Sequence, residues 1–267
     1  VRRNAMDMLK QHGEKILRRQ RKEEEALEQL KEVLGLDNIP NRIEAYDISN
    51  ISGALSVGAM VVFEHGRPKK SDYRRFKIES VSGPDDYKSL EEVIRRRFIR
   101  GLKEKEIMEE NEIELKGFSL FPDLIMIDGG KGQVNTALKV LEELGLDIPI
   151  CGLVKDEFHN TRGIIYDSKE IRLDEDSPGF RLIYKIQEEA HRFAISYHRS
   201  LRSKSMIKSE LDGIKGIGEK RKRELLRHFK TVENIKKASV DELAQVKSMN
   251  RRVAEDLYKH FRKNEGR

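Results

Sequence analysis

The spacing of apolar residues changes several times along the chain, and each change marks a predicted element. In residues 1–34 the apolar positions recur at helical spacing, which predicts one long and heavily charged helix. Its stretch 18–25 is almost wholly charged, a pattern typical of a solvated helix face. Gly35 closes this helix, and Pro40 marks the entrance to the first domain.

Strand-like patterns then predict a meander of three strands. The predicted strands span residues 43–48, 57–63 and 73–79. Asp85 or Asp86 opens the helix that follows, and we expect this helix to run to about Gly101. The charged segment 103–116 is expected to be an insertion after it, with a composition compatible with disorder.

The second part of the predicted sheet contains buried strands joined by helices. The elements are, in order, a strand at 124–127, a helix at 131–144, a strand at 150–154, a hairpin at 163–173 and a helix at 178–202. The order of elements predicts an α/β domain over residues 41–203, a mixed sheet with helices on both faces.

The composition changes again at Ser209, where short helices and turns replace the sheet pattern. Gly216 and Gly218 lie in a turn between two predicted helices, and residues 247–250 hold the same place in a second, related unit. We therefore predict a small all-α domain of two helix-hairpin-helix units at residues 209–264. Residues 1–40 form the N-terminal helix and its linker.

Charge is distributed unevenly between the predicted domains. Residues 204–267 carry 18 Lys and Arg against 10 Asp and Glu, whereas the first 203 residues carry 35 against 37. A basic excess confined to the C-terminal quarter indicates an anionic partner for that module. One cysteine, Cys151, excludes an internal disulfide and fits a reducing, cytoplasmic compartment.

The termini and the apolar runs add two expectations. No apolar run approaches the roughly 18 residues of a membrane span, and there is no signal peptide, so we expect no membrane partner. The chain opens with Val1 rather than Met, which suggests a fragment of a longer protein.

Two aspartates mark the candidate active site. Asp128 directly follows the predicted strand 124–127, and Gly129-Gly130 lead from it to a helix N-terminus suited to anions. Asp47 lies in the first strand, which is adjacent to the strand of Asp128 in ribonuclease-H-like nucleases, whose order of elements this chain resembles. Both carboxylates could then reach one Mg²⁺ ion, which takes oxygen ligands. The alternative for Asp-Gly-Gly is a tight turn without chemistry.

A third ligand would come from the last helix of the domain. His191 lies there, although a lone helical histidine is more often a polar surface or capping residue. An imidazole can bind a metal or transfer a proton near neutral pH, and two strand acids and the nearby Arg192 favour that role. Asp86 has helix capping as its alternative role.

The turn that contains Gly216 and Gly218 is the candidate DNA contact. Its glycines allow successive backbone N–H groups to converge on one phosphate. Such contacts recognise the nucleic-acid backbone and not the base sequence. The alternative is that the glycines only end one helix and begin the next, but the basic excess and the repeated layout favour DNA binding.

Six stretches together resemble the C-terminal half of UvrC, the incision subunit of bacterial nucleotide excision repair. They are AYDISN around Asp47, PDDY at 84–87, MIDGGKGQ around Asp128, GLVKD around Lys155, EEAHRFAISYHR around His191 and IKGIGEKRKRELL around Gly216. The resemblance implies a ribonuclease-H-like endonuclease domain followed by tandem helix-hairpin-helix motifs. It also implies 5′ incision of a damaged DNA strand by an Asp-Asp-His triad and a divalent metal.

By position, the resemblance assigns the triad to Asp47, Asp128 and His191, with Mg²⁺ or Mn²⁺ as the ion and Asp86 as a further acid. The residues expected to contact DNA are Lys131, Lys155, Arg192, Lys215, Gly216, Gly218, Lys220 and Arg221. Residues 247–250 lack the glycine usual in the second hairpin, so we expect the first hairpin to dominate. The N-terminal nuclease of the family and its region that binds UvrB are not in this sequence.

Other functions stay open at this stage. A ribonuclease H or junction resolvase would share the same fold and metal chemistry. A DNA-binding scaffold without activity is a further alternative, against which the complete triad argues. A nucleotide-phosphate binder is disfavoured because the chain has neither a Walker-type ending nor a dinucleotide fingerprint.

Overall fold

Each of two units of the chain, residues 1–197 and 198–267, is built around an apolar core of its own. A computed structural model describes residues 2–51, 55–81, 83–155, 161–211 and 214–264. Side chains are described for residues 13–49, 56–81, 83–155, 161–196, 211 and 214–262.

An eight-stranded mixed sheet forms the centre of the first unit within the described residues. Its strands are β1 (Arg42–Ile51), β2 (Leu55–Glu64), β3 (Arg67–Pro68), β4 (Arg74–Lys77), β5 (Leu124–Ile127), β6 (Ile150–Lys155), β7 (Thr161–Tyr166) and β8 (Lys169–Arg172). The order is β3-β2-β1-β5-β6-β7-β8, and β4 also pairs with β2. β5 is parallel to both β1 and β6, whereas the other pairs are antiparallel. The predicted mixed sheet is confirmed.

Helices cover both faces of this sheet, as the sequence predicted. The helices are α1 (Arg2–Leu34), α2 (Asp86–Glu110), α3 (Lys131–Glu143) and α4 (Pro178–Leu211). α2 packs so closely on β2 that a Cβ at Gly58 would lie 2.5 Å from the side chain of Val93. On the other face α1 and α4 are neighbours, because the backbone N–H of Gly179 donates to Gln29 at 2.6 Å.

A buried ion pair joins β1, α2 and the segment that leads into β5. Arg97 and Glu44 are both fully buried and lie 2.8 Å apart. The same guanidinium donates to the carbonyl oxygens of Phe118 at 2.7 Å and Leu120 at 2.8 Å. Removing one partner of such a pair typically costs about 3–5 kcal/mol, because the other charge stays buried. The pair therefore holds the segment that leads into β5 close to β1. These two strands carry the candidate site.

The C-terminal half of α1 belongs to the core of the first unit. Its buried apolar side chains are Ala26, Leu27, Leu30 and Leu34. The charged stretch 18–25 is mostly exposed, in agreement with a solvated face. Glu23 differs from its neighbours, since it accepts a hydrogen bond from Arg67 at 2.6 Å and so ties α1 to β3.

Two predicted boundaries were wrong in the same direction, because both helices are longer than expected. α2 continues to Glu110, so the first part of the segment 103–116 is helix and not an irregular insertion. Ion pairs one turn apart support it, such as Arg100–Glu104 at 2.7 Å. α4 continues to Leu211, beyond its predicted end at residue 202, since residues 197–211 contain neither glycine nor proline to end it.

The second unit is a small all-α domain, as predicted. Besides the end of α4, its helices are α5 (Glu219–Phe229), α6 (Val232–Lys237), α7 (Val240–Ala244) and α8 (Arg251–Asn264). Leu211, Leu225, Leu243 and Leu257 are among the fully buried members of its core. One hairpin joins α4 to α5 and a second joins α7 to α8, which is the repeated layout that the sequence indicated.

Candidate active site and DNA-binding hairpins

Two neighbouring parallel strands bring Asp47 and Asp128 together. Tyr46 of β1 pairs with Ile127 of β5, and each aspartate is the next residue along the chain. The backbone N–H of Asp128 also donates to the Tyr46 carbonyl at 3.0 Å. The two carboxylates therefore leave the sheet from adjacent positions, as the sequence predicted.

The Asp47 carboxyl is a charged group in a buried position. It is 7% exposed, and this burial raises its pKa above the ordinary value for an aspartate. A hydrogen bond from the Ser49 hydroxyl to Oδ2, 2.9 Å long, lowers the pKa, and so do the charges of His191 and Lys155. The Asp128 charge raises it further. Four residues that the sequence singled out therefore lie within electrostatic reach of one another.

Asp128 is held through a single carboxylate oxygen. Its Oδ1 accepts a hydrogen bond from Gln187 Nε2 at 3.1 Å and lies 2.8 Å from the ammonium group of Lys155. Gln187 is itself 8% exposed, and its Oε1 accepts a hydrogen bond from the Thr161 hydroxyl. A chain of hydrogen bonds from the buried Thr161 and Gln187 to Asp128 thus connects β7, α4 and the end of β5.

The donor atoms at this site fit a hard divalent cation. Ser49 holds Oδ2 of Asp47, whereas Lys155 and Gln187 hold Oδ1 of Asp128, and the described residues donate to neither of the two remaining oxygens. Two such oxygens match Mg²⁺, which one or two carboxylates and a substrate phosphate typically hold. Within the described side chains, no three His, Cys, Asp or Glu residues are grouped closely enough to hold a metal. His191 as a third ligand therefore stays a prediction.

The two α4 residues of the prediction lie in different surroundings. His191 is exposed and lies one turn beyond Gln187, on the helix side that faces Asp47 and Asp128. Arg192 instead forms a bidentate ion pair with Glu189, with N–O distances of 2.6 and 2.7 Å. A role of Arg192 at a phosphate would require that pair to open.

The predicted roles of Asp86, at the start of α2, and of Lys131, at the start of α3, stay predictions as well. Asp85, and not Asp86, caps α2 by accepting a hydrogen bond from the Lys88 backbone at 3.0 Å. The capping alternative therefore belongs to Asp85, and Asp86 is half-buried in the first turn. Lys131 is exposed as the first residue of α3, directly after the glycine turn that follows Asp128.

The two hairpins of the second unit share one backbone feature despite different sequences. Gly216 in the first hairpin has φ of 88°, and Ser248 at the matching place of the second has φ of 71°. The missing glycine therefore did not change this part of the hairpin, because serine adopts the left-handed conformation there. The second hairpin ends at Asn250, whose side chain accepts a hydrogen bond from the Val253 backbone at 2.9 Å.

Arg221 braces the two hairpins. Its guanidinium donates to the carbonyl oxygen of Gly216 and, at 2.8 Å, to that of Ser248. Lys215 and Lys220 are exposed beside it. The structure thus gives Arg221 a supporting role in addition to the predicted DNA contact, which stays a prediction like the contacts of the lysines and glycines.

Comparison with known protein families agrees with both units. Residues 31–195 match the family described as the UvrC RNase H endonuclease domain. The chain belongs to this family. Residues 208–263 match a second family, the SAM-like helix-hairpin-helix tandem. The predicted resemblance to the C-terminal half of UvrC is therefore confirmed.

Full-length relatives extend well beyond the present chain. The UvrABC system protein C of Lachnospira eligens is 54% identical over 97% of this chain and 41% of its own length. The protein of the same name from Clostridium tetani is 53% identical over 99% of this chain and 43% of its own length. The chain thus spans about two fifths of these UvrC proteins.

A more distant likeness was found to a Ciona intestinalis endonuclease V in complex with DNA that contains an inosine. It covers 54% of this chain and 60% of the other, with 15% identity and a TM-score of 0.29, too low to draw conclusions from. No described helix of this UvrC-family chain has the length and apolar character of a membrane span.

Sequence reasoning missed three residues of the candidate site: Ser49, which donates to Asp47, and Gln187 and Thr161 behind Asp128. Gln187 carries a usable signal, because it is a polar residue at helical spacing from the buried Ile183, Ala190 and Ala194. Thr161 carries none, since a threonine in a strand is ordinary. Only the packing of α4 on the sheet reveals that they lie behind Asp128.

Proposed function

We propose that this chain is a metal-dependent endonuclease that makes the 5′ incision in the damaged DNA strand during nucleotide excision repair. The observation that carries the proposal is the pairing of Tyr46 with Ile127, which places Asp47 and Asp128 at adjacent positions of parallel strands. Membership of the UvrC RNase H endonuclease family supports it.

The residues of the candidate site would have two roles, binding a metal ion and transferring a proton. A divalent cation, Mg²⁺ or Mn²⁺, would activate a water molecule and neutralise charge on the phosphate when bound. Asp47 and Asp128 would hold it through the two oxygens that the described residues leave open. His191 would complete the ligand set or accept a proton.

Lys155 has a role that depends on the occupancy of the site. It now neutralises the Asp128 carboxylate at 2.8 Å. A cation bound between the aspartates would repel the ammonium group, which would then be available to the phosphate that the site receives.

The helix-hairpin-helix domain would grip the DNA backbone. Gly216 and Ser248 give both hairpins a left-handed residue before the following helix, and the basic excess of the chain lies in this module. Backbone N–H groups and lysines bind phosphate without regard to base sequence. Recruitment to a damage complex through UvrB would use parts of the full-length protein outside this chain, in the cytoplasm.

The test is incision of a 5′-labelled duplex that carries one lesion, by full-length protein with UvrB, with and without Mg²⁺. Asp47→Ala, Asp128→Ala and His191→Ala are each expected to lose the 5′ cut and to keep the 3′ cut. Persistence of the 5′ cut in Asp128→Ala would refute the site. Preferred cutting of RNA–DNA hybrids or four-way junctions would point to a ribonuclease H or a resolvase instead.

A further inference from the structure

Two side chains of the second unit cross from one hairpin to the other. Nε of Arg221, in the helix after the first hairpin, donates to the Ser248 carbonyl of the second hairpin at 2.8 Å. In the opposite direction, a Cβ built at Gly216 of the first hairpin would lie 3.0 Å from Cγ2 of Val253, in the helix after the second. Each hairpin therefore packs against the helix that follows the other one.

Arg221 joins the two turns through a single guanidinium. Its Nη1 donates to the Gly216 carbonyl, while its Nε is bonded to that of Ser248. Gly216 and Ser248 are the left-handed residues of the two hairpins, with φ of 88° and 71°. The planar fork of a guanidinium sets the directions of its two hydrogen bonds, which the freely rotating ammonium group of a lysine does not. Arg221 therefore fixes the two left-handed turns relative to each other.

The groups suited to a phosphate lie beside these turns, and Arg221 is not placed like them. Lys215 and Lys220 are exposed. The first backbone N–H groups of α5 and α8 have no acceptor within their helices, and they directly follow the two turns. Arg221 is half-buried, and its Nε and Nη1 are engaged with carbonyl oxygens. The geometry thus separates groups that can meet a phosphate from the group that holds them in place.

We propose that Arg221 contributes to DNA binding as a positioning residue, which makes the two hairpins one preformed surface, and not as a phosphate contact. The inference rests on the proposed function, in which this domain holds the DNA backbone. A surface that is ordered before binding loses less conformational entropy in the complex. Without the guanidinium, a hairpin would have to be ordered at each encounter with DNA. Ordering the backbone of one residue corresponds to about a 5- to 30-fold loss of affinity.

The first test is a salt titration of duplex DNA binding by this chain in EDTA, which removes divalent metal ions. Arg221→Lys keeps the charge but loses the fork, so we expect affinity to fall about 5- to 30-fold, with an unchanged slope of log affinity against log salt. A phosphate contact gives the opposite pattern. Wild-type binding by Arg221→Lys, with a slope lowered by about 0.9 in Arg221→Ala, would overturn the inference.

The matched control is Arg223→Lys, at an exposed arginine two residues further along α5. Residues two apart face different sides of a helix, so affinity and slope should both stay unchanged. Lys220→Ala is the positive control, because loss of a phosphate contact lowers the slope by about 0.9. Wild-type binding by the double variant Lys215→Ala, Lys220→Ala would refute the proposed DNA binding of the domain, and the inference with it. A lowered slope in that double variant, with wild-type binding by Arg221→Lys, would refute the inference alone.

The second test separates positioning of the hairpins from general stability of the domain. The amides of Ile217 and Met249 are hydrogen-bonded within their hairpins at 3.0 Å each. We expect Arg221→Lys to accelerate hydrogen exchange of these two amides in the free chain, but not that of the fully buried Leu225 and Leu257 in the helices. Bound DNA should slow the two hairpin amides again. Equal acceleration in hairpins and helices, with a lowered unfolding temperature, would overturn the inference and leave Arg221 as a structural tie of the domain.

Discussion

Asp128 is oriented by two donors of different kinds on one oxygen. Lys155 is an exposed, flexible cation, whereas Gln187 is a buried amide whose own oxygen is held by Thr161. A bound cation would repel the Lys155 ammonium group from Asp128. It would not repel the amide of Gln187, which carries no charge. Gln187 is therefore a positioning residue that fixes the orientation of the Asp128 carboxylate through Oδ1.

Replacement of Gln187 tests this role. Gln187→Leu keeps a similar volume but removes the donor, so we expect the Mg²⁺ concentration for half-maximal 5′ incision to rise about 10- to 100-fold, as is typical when support of a metal ligand is lost. Thr161→Val should act in the same direction with a smaller effect. Glu188→Ala, one residue away on the exposed side of α4, is the control. A reduced rate with unchanged Mg²⁺ dependence would contradict a positioning role.

At this scale the sequence predicted the acids but not their support. Asp47 and Asp128 are visible because a carboxylate in or directly after an apolar strand is unusual, and a glycine turn follows Asp128. The ion pair of Lys155 with Asp128 depends on β6 lying beside β5, which no local pattern encodes. The hydrogen bond from Gln187 depends on how α4 crosses the sheet, which is a property of the packed core.

At the scale of elements, the two hairpins share a left-handed backbone conformation whose conformational energy differs between them. Gly216 adopts a positive φ without penalty, and a Cβ built there would lie 3.0 Å from Cγ2 of Val253 in α8. Ser248 adopts φ of 71° with a side chain present, and a left-handed conformation costs a residue other than glycine about 1–2 kcal/mol. The second hairpin therefore stores strain that the first does not.

Exchanging the residue types should change stability in opposite directions. We expect Ser248→Gly to raise the free energy of unfolding of the second unit by up to about 1 kcal/mol, because the relieved strain exceeds the extra entropy of an unfolded glycine. Gly216→Ala should lower it by more than about 1 kcal/mol, since it adds strain and a close contact with Val253. Urea unfolding measures both, and a destabilised Ser248→Gly would show that the serine is not strained.

The extent of the elements was harder to predict than their existence. The sequence predicted α2 and α4 but ended both too early. Helix turns that extend beyond the core have no regularly spaced apolar residues, so the pattern does not show where the helix ends. The second hairpin lacks the usual glycine, so the first was expected to dominate; that stays a prediction, but both hairpins share the left-handed geometry seen at Gly216. Ser248 keeps that geometry because α7, α8 and the Arg221 bridge surround the turn, a constraint that residue preferences alone do not contain.

At the scale of the whole molecule, the only cysteine of the sequence lies in the first unit, so its labelling rate measures how readily that unit opens. Cys151 lies in β6, is 1% exposed, and burial raises the pKa of its thiol to about 12. The reactive thiolate is therefore scarce in the folded state at pH 8, and a thiol reagent must wait for the sheet to open. The core of the second unit is a separate cluster without a cysteine.

We therefore expect Cys151 labelling to separate the stabilities of the two units. Leu225→Ala removes a fully buried side chain of the second core and should cost that unit about 2–5 kcal/mol, without faster labelling. Leu153→Ala, two residues from Cys151 in β6 and 3% exposed, should accelerate labelling by at least about tenfold. The measurement is the labelling rate at pH 8 in the absence of denaturant. Equal acceleration by both variants would mean that the units open as one, because a cavity in either core would then weaken the same cooperative structure.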